Sequence, residues 1–204
     1  MALRTSKVDR LLPFRQVSEN DTINQYSLNG TGVMGTLVSI ESANMDDQHG
    51  WNYDATPGAS YEDYGIHSYR YETKAKVRPV QSGDTKYDFL GVTLFNVAEF
   101  DENDEKYLYY VQKAKENSTV VSGRSVPIGT RGVYTFHNEA YTNDTGNLPE
   151  IGDVIVPSNT EAGKFDAVEL SEVDGTAYTD EQILGKVIGT GSKFGGYVMV
   201  KISD

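Results

Sequence analysis

The fold class follows from the stretch GGYVMVKI, residues 195–202. After its two glycines, branched apolar side chains occupy every second position from Val198 to Ile202, while Tyr197 and Lys201 fall on the other side. Successive side chains of a strand point to opposite faces of a sheet. The stretch therefore predicts a β-strand with one face on a core and one wet face.

The same step of two runs through residues 69–78, where Val77 belongs to an apolar face and Arg78 to a mostly basic one. Residues 33–40 are instead apolar on both faces, which is typical of a central strand. Further strands are predicted at 89–97, 126–128, 132–136, 153–156, 165–170 and 183–188. The fold class is therefore predicted to be all-β, an antiparallel β-barrel or sandwich.

The stretch 101–118 is the one place where a helix competes with a strand. Asp101 could cap a helix, and Tyr107, Tyr110 and Ala114 fall at helical spacing. Residues 107–111 also read as a strand, because aromatic and β-branched side chains are enriched in strands. We predict a strand followed by a short helical turn.

Two domain features depart from a plain β domain. Residues 1–29 are predicted to form an extended N-terminal arm, and residues 30–204 a β domain with an insertion at 43–67. The insertion is long and rich in aromatic side chains, and such loops are usually functional. Its candidate contact residues, with one from the following strand, are Trp51, Tyr53, Tyr61, Tyr64 and Tyr69.

Charge is distributed unevenly along the chain. The formal net charge is −12, and residues 1–15 hold four basic side chains and one acidic one, so they carry +3 and the rest −15. A body this acidic repels a nucleic-acid duplex, which argues against nucleic acid as a partner. The basic arm either docks on an acidic surface or is an ordinary solvated terminus, and the sequence leaves both open.

Composition bounds the remaining classes. The chain has no cysteine and no apolar run near the roughly 20 residues of a membrane helix, so no disulfide and no membrane partner are expected. The first residues lead into no apolar stretch of the kind a secretory signal needs, so we expect synthesis in the cytoplasm.

Candidate chemistry is sparse. The histidines His49, His67 and His137 lie in separate segments without metal-ligand spacing, and no G-x-S-x-G motif is present. The acidic run 101–105 lacks the glycine and glutamate of a calcium loop and is predicted to be a solvated hairpin tip. We predict no enzyme, and so no catalytic residue, metal or cofactor.

An ordered set of short motifs adds to this reading. They are FLGVT at 89–93, VVSGRSVPIGTRGVY at 120–134, IGDVIV at 151–156, ILGKVIG at 183–189 and the closing GGYVMVKI. Their order resembles the small β-barrel decoration (cement, head-stabilising) proteins of tailed-bacteriophage capsids. The resemblance covers residues 88–204, with 29–40 as a weaker opening match. The basic arm and the Tyr-rich insertion depart from the pattern.

The resemblance implies a structural virion protein on the outer surface of a phage capsid, made in the host cytoplasm. Its partners would be the major capsid protein and itself, as a homotrimer at three-fold or quasi-three-fold sites. We expect the arm to anchor to coat subunits by charge and apolar contact, and the insertion to contact a neighbouring copy or coat subunit. The arm residues are Arg4, Lys7, Arg10, Leu11, Leu12, Phe14 and Arg15.

Other classes stay open at this point. A carbohydrate-binding or adhesion module would present the tyrosines and Trp51 to sugar rings, since aromatic faces stack on sugars as readily as on proteins. A tail or baseplate component is a close relative of the first interpretation. A glycoside hydrolase or esterase would need facing carboxylates or an activated serine.

Overall fold

A computed structural model describes residues 10–16, 21–28, 30–41, 76–143, 148–173, 178–192 and 196–202, with the side chains of 12–16 and of Glu172 excepted. Strands dominate these residues. The strands are β1 Leu11–Gln16, β2 Thr22–Ile23, β3 Ser27–Leu28, β4 Leu37–Ile40, β5 Lys76–Pro79, β6 Phe89–Thr93, β7 Asn96–Ala98, β8 Thr119–Val121, β9 Ile128–Gly129, β10 Gly132–His137, β11 Val154–Pro157, β12 Phe165–Val168, β13 Gly185–Gly191 and β14 Tyr197–Ile202. The helical segments are α1 Val111–Glu116, α2 Leu170–Val173 and the 3-10 turns Asn138–Ala140 and Asp180–Gln182.

The strands form two six-stranded sheets and a small pair. Sheet A has the order β1-β10-β14-β13-β11-β12, and all of its pairings are antiparallel. Sheet B has the order β2-β9-β6-β4-β5-β3 and is antiparallel except between β3 and β5. Strands β7 and β8 pair in parallel as sheet C. The predicted all-β class is confirmed.

One large core lies between sheets A and B. Leu37 and Val92 of sheet B pack in it with Phe136, Val187 and Val200 of sheet A, and all five are fully buried. Burying a large aliphatic or aromatic side chain contributes about 1.5–3 kcal/mol, so this shared cluster holds the two sheets together. The arrangement is that of a sandwich.

Sheet B has a second buried face. Val38 follows Leu37 but packs on the opposite side, in a cluster with Leu28, Val77 and Val97. Strand β4 lies between β6 and β5, so the prediction of a central strand with two apolar faces is confirmed. The strand begins at Leu37 rather than at residue 33.

The closing strand behaves as its alternation predicts. In β14, Val198, Val200 and Ile202 are buried, whereas Lys201 is exposed and Tyr197 half-buried. The prediction of one core face and one wet face is confirmed.

The glycines of two motif repeats lie where another backbone comes close. A Cβ on Gly185 would lie 2.6 Å from the carbonyl oxygen of Lys201, and one on Gly91 would overlap the carbonyl of Gly129. A side chain at either position would push neighbouring strands apart. The glycines of these Leu-Gly pairs therefore serve strand packing.

Residues 107–111 do not form the predicted strand. Tyr107 is buried, the chain turns through residues 106–110 by hydrogen bonds from Tyr109 N–H to Lys106 O and from Tyr110 N–H to Tyr107 O, and α1 begins at Val111. The strand prediction is wrong, and the predicted helical turn is present. The acidic run does form a hairpin tip, closed by a bridge between Phe100 and Lys106.

Candidate interaction surfaces

Arg10, within the predicted arm, is part of the fold. Its guanidinium Nη1 donates a hydrogen bond of 3.2 Å to Gly163 O. Burial lowers the pKa of Arg10, against the opposing effect of the carboxylates of Glu161 and Glu139. This side chain is thus held against the body. Arg4 and Lys7 lie outside the described residues.

Leu11 is a core residue. It is 1% exposed and packs in the main core between the sheets. A side chain in this position cannot contact a coat subunit in the folded protein, which corrects its assignment to capsid binding. The sequence misled because Leu11 stands among basic residues.

The following residues are an edge strand. Strand β1 pairs antiparallel with β10, from Leu11 opposite Phe136 to Gln16 opposite Val133, with an irregularity in between. The backbone of Leu12, Phe14 and Arg15 therefore belongs to sheet A, and their side chains lie outside the described part. Residues 10–16, which lie inside the predicted 1–29 arm, therefore belong to the folded body.

The second predicted set lies entirely outside the described residues. Trp51, Tyr53, Tyr61, Tyr64 and Tyr69 all fall within 42–75. Their role as a contact surface stays a prediction.

The described residues carry an apolar surface that the sequence analysis assigned to a strand. Leu108, Tyr109, Tyr110 and Val111 are 45, 75, 49 and 48% exposed. We call these four residues the 108–111 patch. Consecutive exposed apolar side chains of this size are typical of an interaction surface, and tyrosine is enriched at interface hot spots.

The patch stands on an ordered support. The Asp101 carboxylate accepts hydrogen bonds from Asn103 N–H at 2.7 Å and Glu105 N–H at 2.8 Å, and it pairs with the Lys113 ammonium of α1. The pKa of Asp101 is held below its ordinary value, first by the hydrogen bond from Lys113 and then by these N–H groups, which together outweigh burial. Tyr107 accepts a hydrogen bond of 3.1 Å from Asn117 Nδ2.

The segment that carries the patch is acidic overall. Residues 99–116 hold six acidic and three basic side chains, a net charge of −3. Glu102 and Glu105 are exposed, and each lies 3.8 Å from Nζ of Lys113, in the helix that Val111 begins. The exposed apolar patch therefore belongs to an acidic segment.

The wet face of sheet A has the opposite character. Lys186 of β13 and Lys201 of β14 are directly opposite each other and exposed, and Val133 of β10 is the neighbour of Lys201 on its other side. Ile188, at an irregularity of β13, is 39% exposed, and Met199 is half-buried. We call these five residues the lysine face.

A groove lies at one end of sheet A. It has a volume of about 420 Å³, and those of its lining side chains that the structure describes are uncharged. Burial raises the pKa of Tyr141, one of its walls. The other principal lining residues are Leu148, Pro149, Thr190, Ser192 and Tyr197.

The described residues contain no group of three or more His, Asp or Glu side chains placed to hold a metal ion. No helix among them is long and apolar enough to cross a membrane.

Comparisons with known proteins add no relative. The chain matches no protein-family model, no curated protein and no solved structure.

The 108–111 patch, the lysine face and the groove were missed at the sequence level. Residues 107–111 carried a signal, a run of aromatic and aliphatic side chains. The same residue types are enriched in strands and on interaction surfaces, so the run alone did not distinguish the two. The lysine face depends on the register of β13 against β14, which spacing alone does not give.

Proposed function

We propose that this chain is a structural virion protein that binds the outer surface of a phage capsid and stabilises it, as a trimer at three-fold or quasi-three-fold sites. The motif order of residues 88–204 is the basis of the resemblance. The observation that carries the proposal further is the fixed root of the basic arm, at Arg10 and β1 on the edge of sheet A.

A fixed root matters for anchoring. Residues 1–9, with Arg4 and Lys7, continue from an edge strand whose Leu11 is locked in the core. Arg4 lies six residues before Arg10, and six residues reach at most about 20 Å when extended. A basic segment tethered to a rigid body is suited to bridging from this chain to a coat subunit beneath it.

The test is binding to empty shells of a tailed phage that encodes the protein. We expect saturable co-sedimentation, density at symmetry-related outer sites, and a rise in the temperature at which the shells break open. The double variant R4E/K7E should bind more weakly, because it reverses the charge of the arm without touching the described body.

The matched control is K76E/K86E, which makes the same charge change at two exposed lysines of the body. Equal loss in both variants would mean that net charge, and not the arm, governs binding. Absence of any co-sedimentation of the unaltered chain would remove the capsid role itself.

A second candidate function rests on the groove at the end of sheet A. The tyrosine rings and hydroxyl groups of its described lining suit a neutral sugar, which stacks on aromatic faces and exchanges hydrogen bonds with hydroxyls. In this carbohydrate-binding or adhesion reading, a glycan array should give a signal that Tyr197→Ala removes. Tyr87→Ala, at a tyrosine 72% exposed elsewhere, should leave that signal unchanged.

A further inference from the structure

We propose that copies of this chain associate head to tail, with the 108–111 patch of one copy packed on the lysine face of the next. The inference extends the proposed function, because it names the surfaces through which copies meet. It concerns the isolated protein and requires no shell.

Charge complementarity selects the second copy as the occupant. The patch belongs to a segment of net charge −3, and the lysine face presents two ammonium groups among apolar side chains. Partly apolar surfaces of opposite charge favour each other and suppress wrong partners.

The lysine face itself calls for an anionic neighbour. Like charges directly opposite each other on paired strands destabilise a sheet. Lys186 and Lys201 stand in that relation, and neither forms an ion pair with any described residue. Carboxylates of a neighbouring copy, such as Glu102 and Glu105, would relieve this repulsion.

The charges also decide the symmetry of the contact. If the patches of two copies packed against each other, the carboxylates of one copy would oppose the same carboxylates of the other, and these like charges would repel. The contact must therefore join two different surfaces. Such heterologous contacts close into rings or continue as filaments, and the proposed function expects a closed ring of three copies.

Sedimentation velocity of the purified full chain, at low salt and without shells, tests the inference. We expect a discrete oligomer of a few copies that shifts toward the 22.5 kDa single chain as salt is raised, because salt screens exposed charges. E102K/E105K and K186E/K201E should each sediment as single chains.

The decisive step is to combine the changes in one chain. The quadruple variant E102K/E105K/K186E/K201E should assemble again, because the reversed patch of each copy then fits the reversed face of the next, in a ring of any number of copies. E169K/E181K and K76E/K86E are the matched controls, with the same charge changes at exposed positions elsewhere, and both should assemble normally.

A third variant guards against misfolding. Tyr109→Ser removes a ring that is 75% exposed, so it should leave the unfolding temperature unchanged and still weaken assembly. A single-chain mass of the unaltered protein at low salt, full assembly of Tyr109→Ser, or a quadruple variant that stays dissociated would each overturn the inference. Failure of shell binding would leave it standing.

Discussion

The absence of a side chain at Gly35 lets the backbone of Leu11, at the start of β1, pack closely against it. Its φ of +91° is in the region that favours glycine, and a Cβ there would lie 2.8 Å from Leu11 N and 2.9 Å from Leu11 Cβ. We expect Gly35→Ala to lower the free energy of unfolding by about 1–2 kcal/mol for the backbone and about 1–3 kcal/mol for overpacking. Urea unfolding measures the loss.

Gly83 supplies the matched control, since its φ is +89° and nothing lies within 4 Å of a Cβ built on it. Gly83→Ala should cost the backbone part alone, about 1–2 kcal/mol. If both variants lost the same free energy of unfolding, the close packing of Gly35 against Leu11 would contribute nothing to stability.

Asp84 gives the protein a pH dependence of known sign. Burial would raise the pKa of this carboxyl, but hydrogen bonds from Arg78 at 2.7 and 2.8 Å and from Gln81 N–H at 2.9 Å outweigh it and hold the pKa below its ordinary value. The stabilisation is therefore present above the unfolded pKa, about 3.9, and is lost as pH falls through the folded pKa.

Asp84→Asn should lower the free energy of unfolding at pH 7 by about 1 kcal/mol, since water screens the partly exposed Arg78. The deficit relative to the unaltered protein should shrink as pH falls below about 3.9, where the unfolded chain takes up the proton, and should vanish once pH passes the lower pKa of the folded protein. Asp104→Asn, at an exposed position of the hairpin tip, is the control for the loss of a surface carboxylate and should show no comparable deficit at pH 7. Thermal unfolding across pH 2–8 measures all three; a pH-independent deficit would contradict the account.

At the scale of elements, β1, β2 and β3 are parts of the body. Leu11 and Leu28 are each 1% exposed, and burying each contributes about 1.5–3 kcal/mol. A chain that begins at Asn29 loses both, a large share of the roughly 5–15 kcal/mol of a typical domain. We expect it not to fold, and a chain that begins at Arg10 to retain the β-rich circular dichroism and cooperative melting of the full chain. If the chain that begins at Asn29 folded, β1, β2 and β3 would not be needed for folding of the body, as the predicted 1–29 arm implies.

Some elements of the fold could be predicted from the sequence, and others could not. Strand β14 and the faces of Val77 and Lys76 were predictable, because period-two alternation reports burial directly. The turn at 107–110 was not, because burial of Tyr107 and the Asp101–Lys113 pair override local strand propensity. The pairing of β1 with β10, across more than 110 residues, leaves no local pattern to read.

For the whole molecule, the two proposed contacts should reinforce each other. A ring of copies presents several arms to one shell, and the first bound arm raises the effective concentration of the others. The single-chain variant E102K/E105K keeps Arg4 and Lys7 yet offers one arm at a time. We expect its apparent affinity for shells to fall about 10²-fold, the lower end of the gain that linked sites give.

Titration of shells at fixed ionic strength measures the difference, with E169K/E181K as the control of equal charge change. An unchanged affinity of E102K/E105K would mean that each copy binds the shell on its own, and that contacts between copies contribute nothing to attachment.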